Sequence, residues 1–282
     1  MMLNVKKITG LVKATMVALT LSAGFAQAYE KYSFGVVPQF EPRKLAEIWL
    51  PVLKELTKRT GYEFALAAAG NIPNFETSLQ YGGYDFAYMN PYHVTQTTAP
   101  HQYEPLVSDG KSGLTGIVVV AKDSPITSVR QLDGIPVAFP APNAFAATLL
   151  VRAELDGFFG IVPKAEFSST HTSAYLRVAL GKNVAAGGVR GTLAAQKPEL
   201  RDRLRLIYET QEVPRHAVAA HQRVPVEVRE NVRQALLEMA KTENGRGLLA
   251  KIPMLEPKAA SMSDYYSVRE LHMGDYLAKE IN

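Results

Sequence analysis

Tyr84-Asp-Phe-Ala-Tyr-Met-Asn-Pro-Tyr92 runs from an apolar strand, residues 84–89, directly into a helix that begins at Asn90-Pro91-Tyr92. The same step occurs twice upstream. Tyr32-Ser-Phe-Gly-Val-Val37 reads as a strand and leads to a helix whose Leu45, Ile48, Trp49, Val52, Leu53 and Leu56 follow three/four spacing up to Gly61. Pro51 inside that helix is a local conflict that predicts a kink or a late start. Residues 63–69 form a second apolar strand, followed by a short helix over 75–80. Strands alternating with helices over short loops indicate parallel α/β units. Such sheets place ligands beyond the carboxyl ends of their strands. Pro38, Phe40, Asn90 and Tyr92 stand at such ends.

The pattern restarts further on. Residues 116–121, Gly-Ile-Val-Val-Val-Ala, are a wholly apolar strand. Strands over 135–139, 165–169 and 204–208 alternate with helices over 143–159 and 173–180, and 226–241 is an amphipathic helix. The last residues, 265–282, fit one more helix docking on the first block. Two α/β blocks, the second inserted between the halves of the first, explain this order better than one sheet. The expected organisation is a two-lobed α/β fold with mixed, mainly parallel sheets and two hinge strands. Lobe 1 comprises 29–121 and 213–282, and lobe 2 comprises 122–212, with crossings near 121–125 and 209–216.

Residues 1–28 combine Lys6, Lys7 and Lys13, an apolar run over 16–25 and Ala26-Gln27-Ala28. That is the form of a secretory signal peptide cleaved after Ala28. The apolar run is shorter than the ~20 residues a membrane-spanning helix needs. Cleavage removes three lysines and no acids, so 31 basic residues become 28 against 27 acidic ones. A near-neutral chain gives no case for nucleic acid or a polybasic membrane contact. Cysteine is absent. This excludes disulfides, thiolate metal sites, a cysteine nucleophile and a lipid-modified cysteine at the cleavage point. An exported, unanchored, cysteine-free protein fits the Gram-negative periplasm.

Motifs for chemistry are few. Gly110-Lys111-Ser112 lacks the upstream glycine of a phosphate loop, because Pro105 stands there. No nucleophile-and-base pair, paired carboxylates or metal spacing is recognisable, so neither catalytic residues nor a metal or cofactor are expected. His93, His101 and His272 read as surface or capping residues. Gly187-Gly-Val-Arg-Gly191 reads as a turn where backbones approach closely. Ser168-Ser-Thr-His-Thr-Ser173 is a hydroxyl-rich strand end opening into a helix; it suits an oxyanion or a plain N-cap.

Three segments together resemble the phosphonate/phosphite/phosphate branch of the periplasmic solute-binding proteins of ABC transporters. They are Phe34-Gly-Val-Val-Pro38 with its helix, Tyr84 to Tyr92, and Pro142-Asn143 with Ser169-Thr-His171 and Val178-Ala-Leu-Gly-Lys182. The resemblance spans nearly all of the chain after residue 28, in order. It implies two lobes closing on a small anionic solute, here between Phe40, Asn90 and Tyr92 of one lobe and Asn143, Ala144, Phe145, Ala146 and His171 of the other. The family carries a Ser-Thr-Ser-type triplet after Pro-Asn; this chain has Ala144-Phe145-Ala146, which keeps the backbone N–H groups and loses the hydroxyls. The acid that aminophosphonate binders carry after Gly-Lys is missing, with Val184 near that place, which argues against an ammonium-bearing ligand. Arg190 is an outlying candidate for charge neutralisation.

The resemblance implies no enzyme activity and a partner permease. Alternatives are a sensor module acting with a membrane receptor or histidine kinase, or a binder of another small solute. A monomer suits lobes that open and shut.

Overall fold

The computed structural model describes residues 30–97, 102–111, 113–269, 271, 273 and 276. The expected leader, His101 and His272 lie outside them. Two mixed sheets, each flanked by helices, form two lobes. The first has the strand order β11-β4-β10-β3-β1-β2 and the second β7-β6-β8-β5-β9, and the elements follow in chain order.

In the first lobe β1 (Lys31–Val36), α1 (Pro42–Thr60), β2 (Glu63–Ala68), α2 (Ile72–Gln80), β3 (Phe86–Met89) and α3 (Pro91–Gln96) realise the repeated strand-to-helix step. β1 lies between β2 and β3 and is parallel to both. Helix α1 buries Leu45, Trp49, Val52, Leu53 and Leu56 on the sheet. It runs unbroken through Pro51, which sits on the exposed side. There the Glu47 carbonyl that the missing N–H leaves unpaired can turn to water, so the helix tolerates the proline. Gly61 ends it at φ +75°, donating its N–H to Thr57 O. Phe34 packs with Trp49, and Trp49 with Tyr88, at ring distances of 5.4 and 4.9 Å.

β4 (Tyr103–Asp109) leads to β5 (Gly116–Ala121), which pairs antiparallel with strands of the second sheet. The first passage between lobes therefore falls at residues 110–115, ahead of the 121–125 expected from sequence. The apolar run of β5 marks a strand buried on both faces at the centre of its sheet, which does not depend on the lobe it joins. The second sheet continues with β6 (Pro136–Phe139), α4 (Val151–Phe159), β7 (Lys164–Phe167), α5 (His171–Ala179), β8 (Ala185–Val189), α6 (Arg190–Ala194), α7 (Pro198–Arg201) and β9 (Leu204–Glu209). The chain returns through residues 210–216 to β10 (Ala217–His221), which inserts antiparallel between β3 and β4. The two crossing segments are tied together: Leu114 N donates to Val213 O at 2.7 Å and Val213 N to Leu114 O at 3.0 Å. α8 (Val226–Met239), α9 (Glu243–Lys251), β11 (Pro257–Ala259) and α10 (Tyr266–Arg269) complete the first lobe.

The segment that matters most precedes α4. Residues Phe145–Leu150 form a π-helical turn continuous with it, a conformation concentrated at functional sites. It lies close on the second sheet. A Cβ at Gly116 would stand 2.1 Å from the Ala146 carbonyl oxygen, and one at Gly187 2.3 Å from that of Ala147. The close approach expected around Gly187 is present, although Gly187 and Gly188 belong to β8 and not to a turn.

Gly187→Ala is expected to destabilise the fold by about 1–3 kcal/mol, the usual cost of overpacking a tight site. Gly247→Ala, on the exposed side of α9 with nothing near its Cβ, is expected to stabilise by about 0.5–1 kcal/mol. Urea midpoints of the two variants check both.

Candidate functional site

A helix leaves its first-turn N–H groups without internal partners. Thr148 N is the first donor to bond back, to Ala144 O at 2.7 Å. The amides of Phe145, Ala146 and Ala147 are therefore the start of a 15-residue helical stretch (145–159), facing the cleft between the sheets. They line a cavity of about 20 Å³ with Val37, Gln39, Ile72 and Asn90 of the first lobe and His171, Val189 and His216. Room for about one water exists there, so an oxyanion requires the lobes to part.

His171 opens α5. Thr170 is the N-cap, its Oγ1 accepting from Ser173 N at 3.1 Å. Ser169 just before it holds φ +70°, an uncommon conformation for a non-glycine residue and one often kept at ligand sites. The His171 Nδ1 atom is buried without a hydrogen-bond partner. Burial lowers the His171 pKa to about 4, opposed in part by a hydrogen bond with the Gln39 backbone across the cleft. Burial, then the fields of His93, Arg215 and His171, lower His216 to about 3. His216 stacks on Tyr88 at 5.2 Å. Both imidazoles are neutral near pH 7, so the cavity offers amide donors and neutral rings rather than cations.

The structure brings Asn90, Ala144, Phe145, Ala146 and His171 together around this cavity. The Asn90 side chain is engaged as the N-cap of α3, accepting from His93 N at 2.8 Å. Tyr92 and Asn143 instead line a neighbouring cavity of about 530 Å³ between the lobes, with Glu76 and His93. Phe40 faces an apolar pocket of about 90 Å³ with Trp49 and Tyr88, under the Lys44 ammonium 4.3 Å from its ring centre. Arg190 is outside all three, exposed and ion-paired with Glu209. Val184 is also on the surface, before the start of β8, whereas the cleft is at the other end of that strand, at Val189. Its lack of a charge therefore says nothing about the ligand.

Two functional candidates were not legible in the sequence. His93 is buried, not a surface residue, with Nε2 2.9 Å from Glu76 Oε1. Glu76 reaches across the cleft, its Oε2 accepting from Asn143 Nδ2 at 2.6 Å. Lys44 makes a second crossing, donating to Ala195 O at 2.6 Å. Only the Asn90 cap, which orients His93, gives a sequence hint of this cluster. No group of three or more metal-ligating side chains is present among the described residues.

Two lobes, crossing segments joined by a bridge at Leu114 and Val213, and a cleft at a helix start define a two-lobed solute-binding protein. A family model described as "ABC transporter, phosphonate, periplasmic substrate-binding protein" matches residues 34–265, and the chain belongs to that family. No curated protein matches it. Among solved structures, a binding protein component of an ABC phosphonate transporter from Pseudomonas aeruginosa superposes with a TM-score of 0.79 at 17% identity, over 86% of this chain and 85% of that one. PhnD1 from Prochlorococcus marinus, solved with methylphosphonate, gives 0.76 at 17% identity over 89% and 99%. A Xanthomonas citri protein bound to chloride gives 0.70 at 16% identity over 88% and 98%. These likenesses establish the two-lobed periplasmic-binding-protein fold. No helix among the described residues is long and apolar enough to cross a membrane.

A histidine kept neutral by folding must shed a proton that the unfolded chain would bind below about pH 6.5. Stability from this source is intact above about 6.5 and is lost as pH falls toward 4 for His171 and toward 3 for His216. At pH 5, unfolding is expected to take up about one proton fewer in His171→Asn than in the wild type. The slope of the urea midpoint against pH measures it.

Proposed function

We propose that the protein is exported to the periplasm after cleavage behind Ala28 and acts there as a monomer. It binds one small oxyanion of the phosphonate, phosphite or phosphate class between its lobes, delivers it to a membrane permease and catalyses no reaction. The observation carrying this reading is the unpartnered amide row of Phe145, Ala146 and Ala147, beside His171 of the same lobe and opposite Asn90 of the first. Main-chain donors and the positive end of the helix dipole attract an anion there. The methylphosphonate complex of the Prochlorococcus protein, on the same fold, supports that ligand class. Neutral walls and Phe145 suit a ligand with an apolar substituent on the charged centre.

A hydrogen bond to a charged group contributes roughly 1.5–3 kcal/mol. The absent hydroxyls at positions 144 and 146 therefore leave room for a gain. Methylphosphonate and phosphite are expected to raise the melting temperature, and the Ala144→Ser/Ala146→Ser variant is expected to bind methylphosphonate about tenfold or more tighter. Thermal shift and titration calorimetry read the two effects. A shift with neutral solutes and none with any oxyanion contradicts the ligand class and leaves the fold standing.

A further inference from the structure

Phe40 does not line the small cavity at the helix start, yet the chamber it faces adjoins that cavity. The two share four lining residues, Gln39, Leu114, Val189 and His216. Between them stands the contact of the Gln39 side-chain amide with His216 Nε2, at 3.4 Å. The chamber of about 90 Å³ is enclosed by both lobes: Phe40, Leu45, Ile48 and Trp49 belong to the first, Gly191 and Ala195 to the second. Its volume has room for several waters. A short hydrocarbon chain fits the same space.

The polar groups on this wall already have partners. The Tyr88 hydroxyl donates to Ile252 O at 3.2 Å, and Thr192 Oγ1 donates to Val189 O at 2.9 Å. Arg215 is paired with Asp109 at 3.4 Å, and the Lys251 side chain is exposed. Among the described residues, no buried side-chain nitrogen or oxygen of this lining lacks a partner. A hydroxyl or ammonium group entering here gives up water for groups already engaged, which costs free energy. A methylene that enters leaves water for an apolar wall and gains from it. The chamber therefore discriminates by hydrophobicity, and its neighbour at the 145–147 amides discriminates by charge.

We propose that this chamber is an apolar subsite for the organic substituent of the bound oxyanion, and that Phe40 determines its specificity. The ligand class it fits is an alkylphosphonate with a chain of about two or three carbons. The inference rests on the oxyanion reading above and deepens it.

Four probes with one headgroup test it: methyl-, ethyl-, propyl- and 2-aminoethylphosphonate, the last matching the propyl compound in length. Titration calorimetry on the full mature chain at pH 7 is expected to show affinity rising about fourfold per added methylene. The propyl compound should thus bind about tenfold or more tighter than the methyl compound, and at least about tenfold tighter than the aminoethyl compound. In Phe40→Ala the propyl-to-methyl ratio should fall at least about fourfold, because the chain then lies partly against water. A merely structural role for Phe40 would weaken both ligands alike and leave that ratio unchanged, which overturns the assignment to Phe40. Should the variant fail to fold, the wild-type series decides alone. Affinity that is flat or falls with chain length, or tighter binding of the aminoethyl than of the propyl compound, overturns the subsite while sparing the oxyanion reading. Binding of none of the four overturns both.

Discussion

The architecture of the cleft depends on how closely one backbone lies on another. The Ala146 and Ala147 carbonyls approach β5 and β8 where Gly116 and Gly187 carry no side chain. Any Cβ there would lift the π-helical turn off the sheet. Held in this position, the turn presents three unpartnered amides to the space between the lobes, and its own carbonyls are packed away. The anchoring continues along β8. A Cβ at Gly188 would meet the Tyr175 hydroxyl at 2.0 Å, and that hydroxyl accepts from Val189 N at 3.2 Å. The end of β8, the turn and α5 thus form one rigid wall.

Against that wall the first lobe brings mostly uncharged surface. Val37, Ile72 and Asn90 line the smaller cavity, and burial keeps His171 and His216 unprotonated near neutral pH. The site proposed here would attract anions by oriented dipoles instead of fixed cations, and so would not need to hold a buried guanidinium or ammonium when the lobes are apart. The carboxylate at the cleft, on Glu76, belongs to the neighbouring cavity and is tied to Asn143 of the other lobe. Polar bonds that cross between the lobes include Glu76 to Asn143, Lys44 to Ala195, Tyr276 to Asp156 and His171 to the Gln39 backbone.

Much of the fold was legible because the hydrophobic period changes visibly between strands and helices. Residues 32–37 and 84–92 announced their elements, and Gly61 ended α1 as its position predicted. The lobe boundary was misplaced because β5 is apolar on both faces, which identifies a central strand without saying in which sheet. The helix start at 145 could be read from Pro142-Asn143 and the family pattern. Glu76 and His93 could not. Their importance arises from a crossing between lobes 67 residues apart in sequence, and nothing local distinguishes an acid on a short helix that faces a cleft from one that faces solvent. Val184 shows the converse error, a position aligned by pattern that the strand carries to the far end of the lobe.

The central claim is that main-chain amides at a glycine-seated helix start hold the anion. A crystal structure of the protein with methylphosphonate tests it most directly. Phosphonate oxygens are expected within about 2.7–3.2 Å of the backbone nitrogens among Phe145, Ala146 and Ala147, with His171 in contact. Phosphonate oxygens held by lysine or arginine side chains elsewhere, with those three nitrogens untouched, would contradict it.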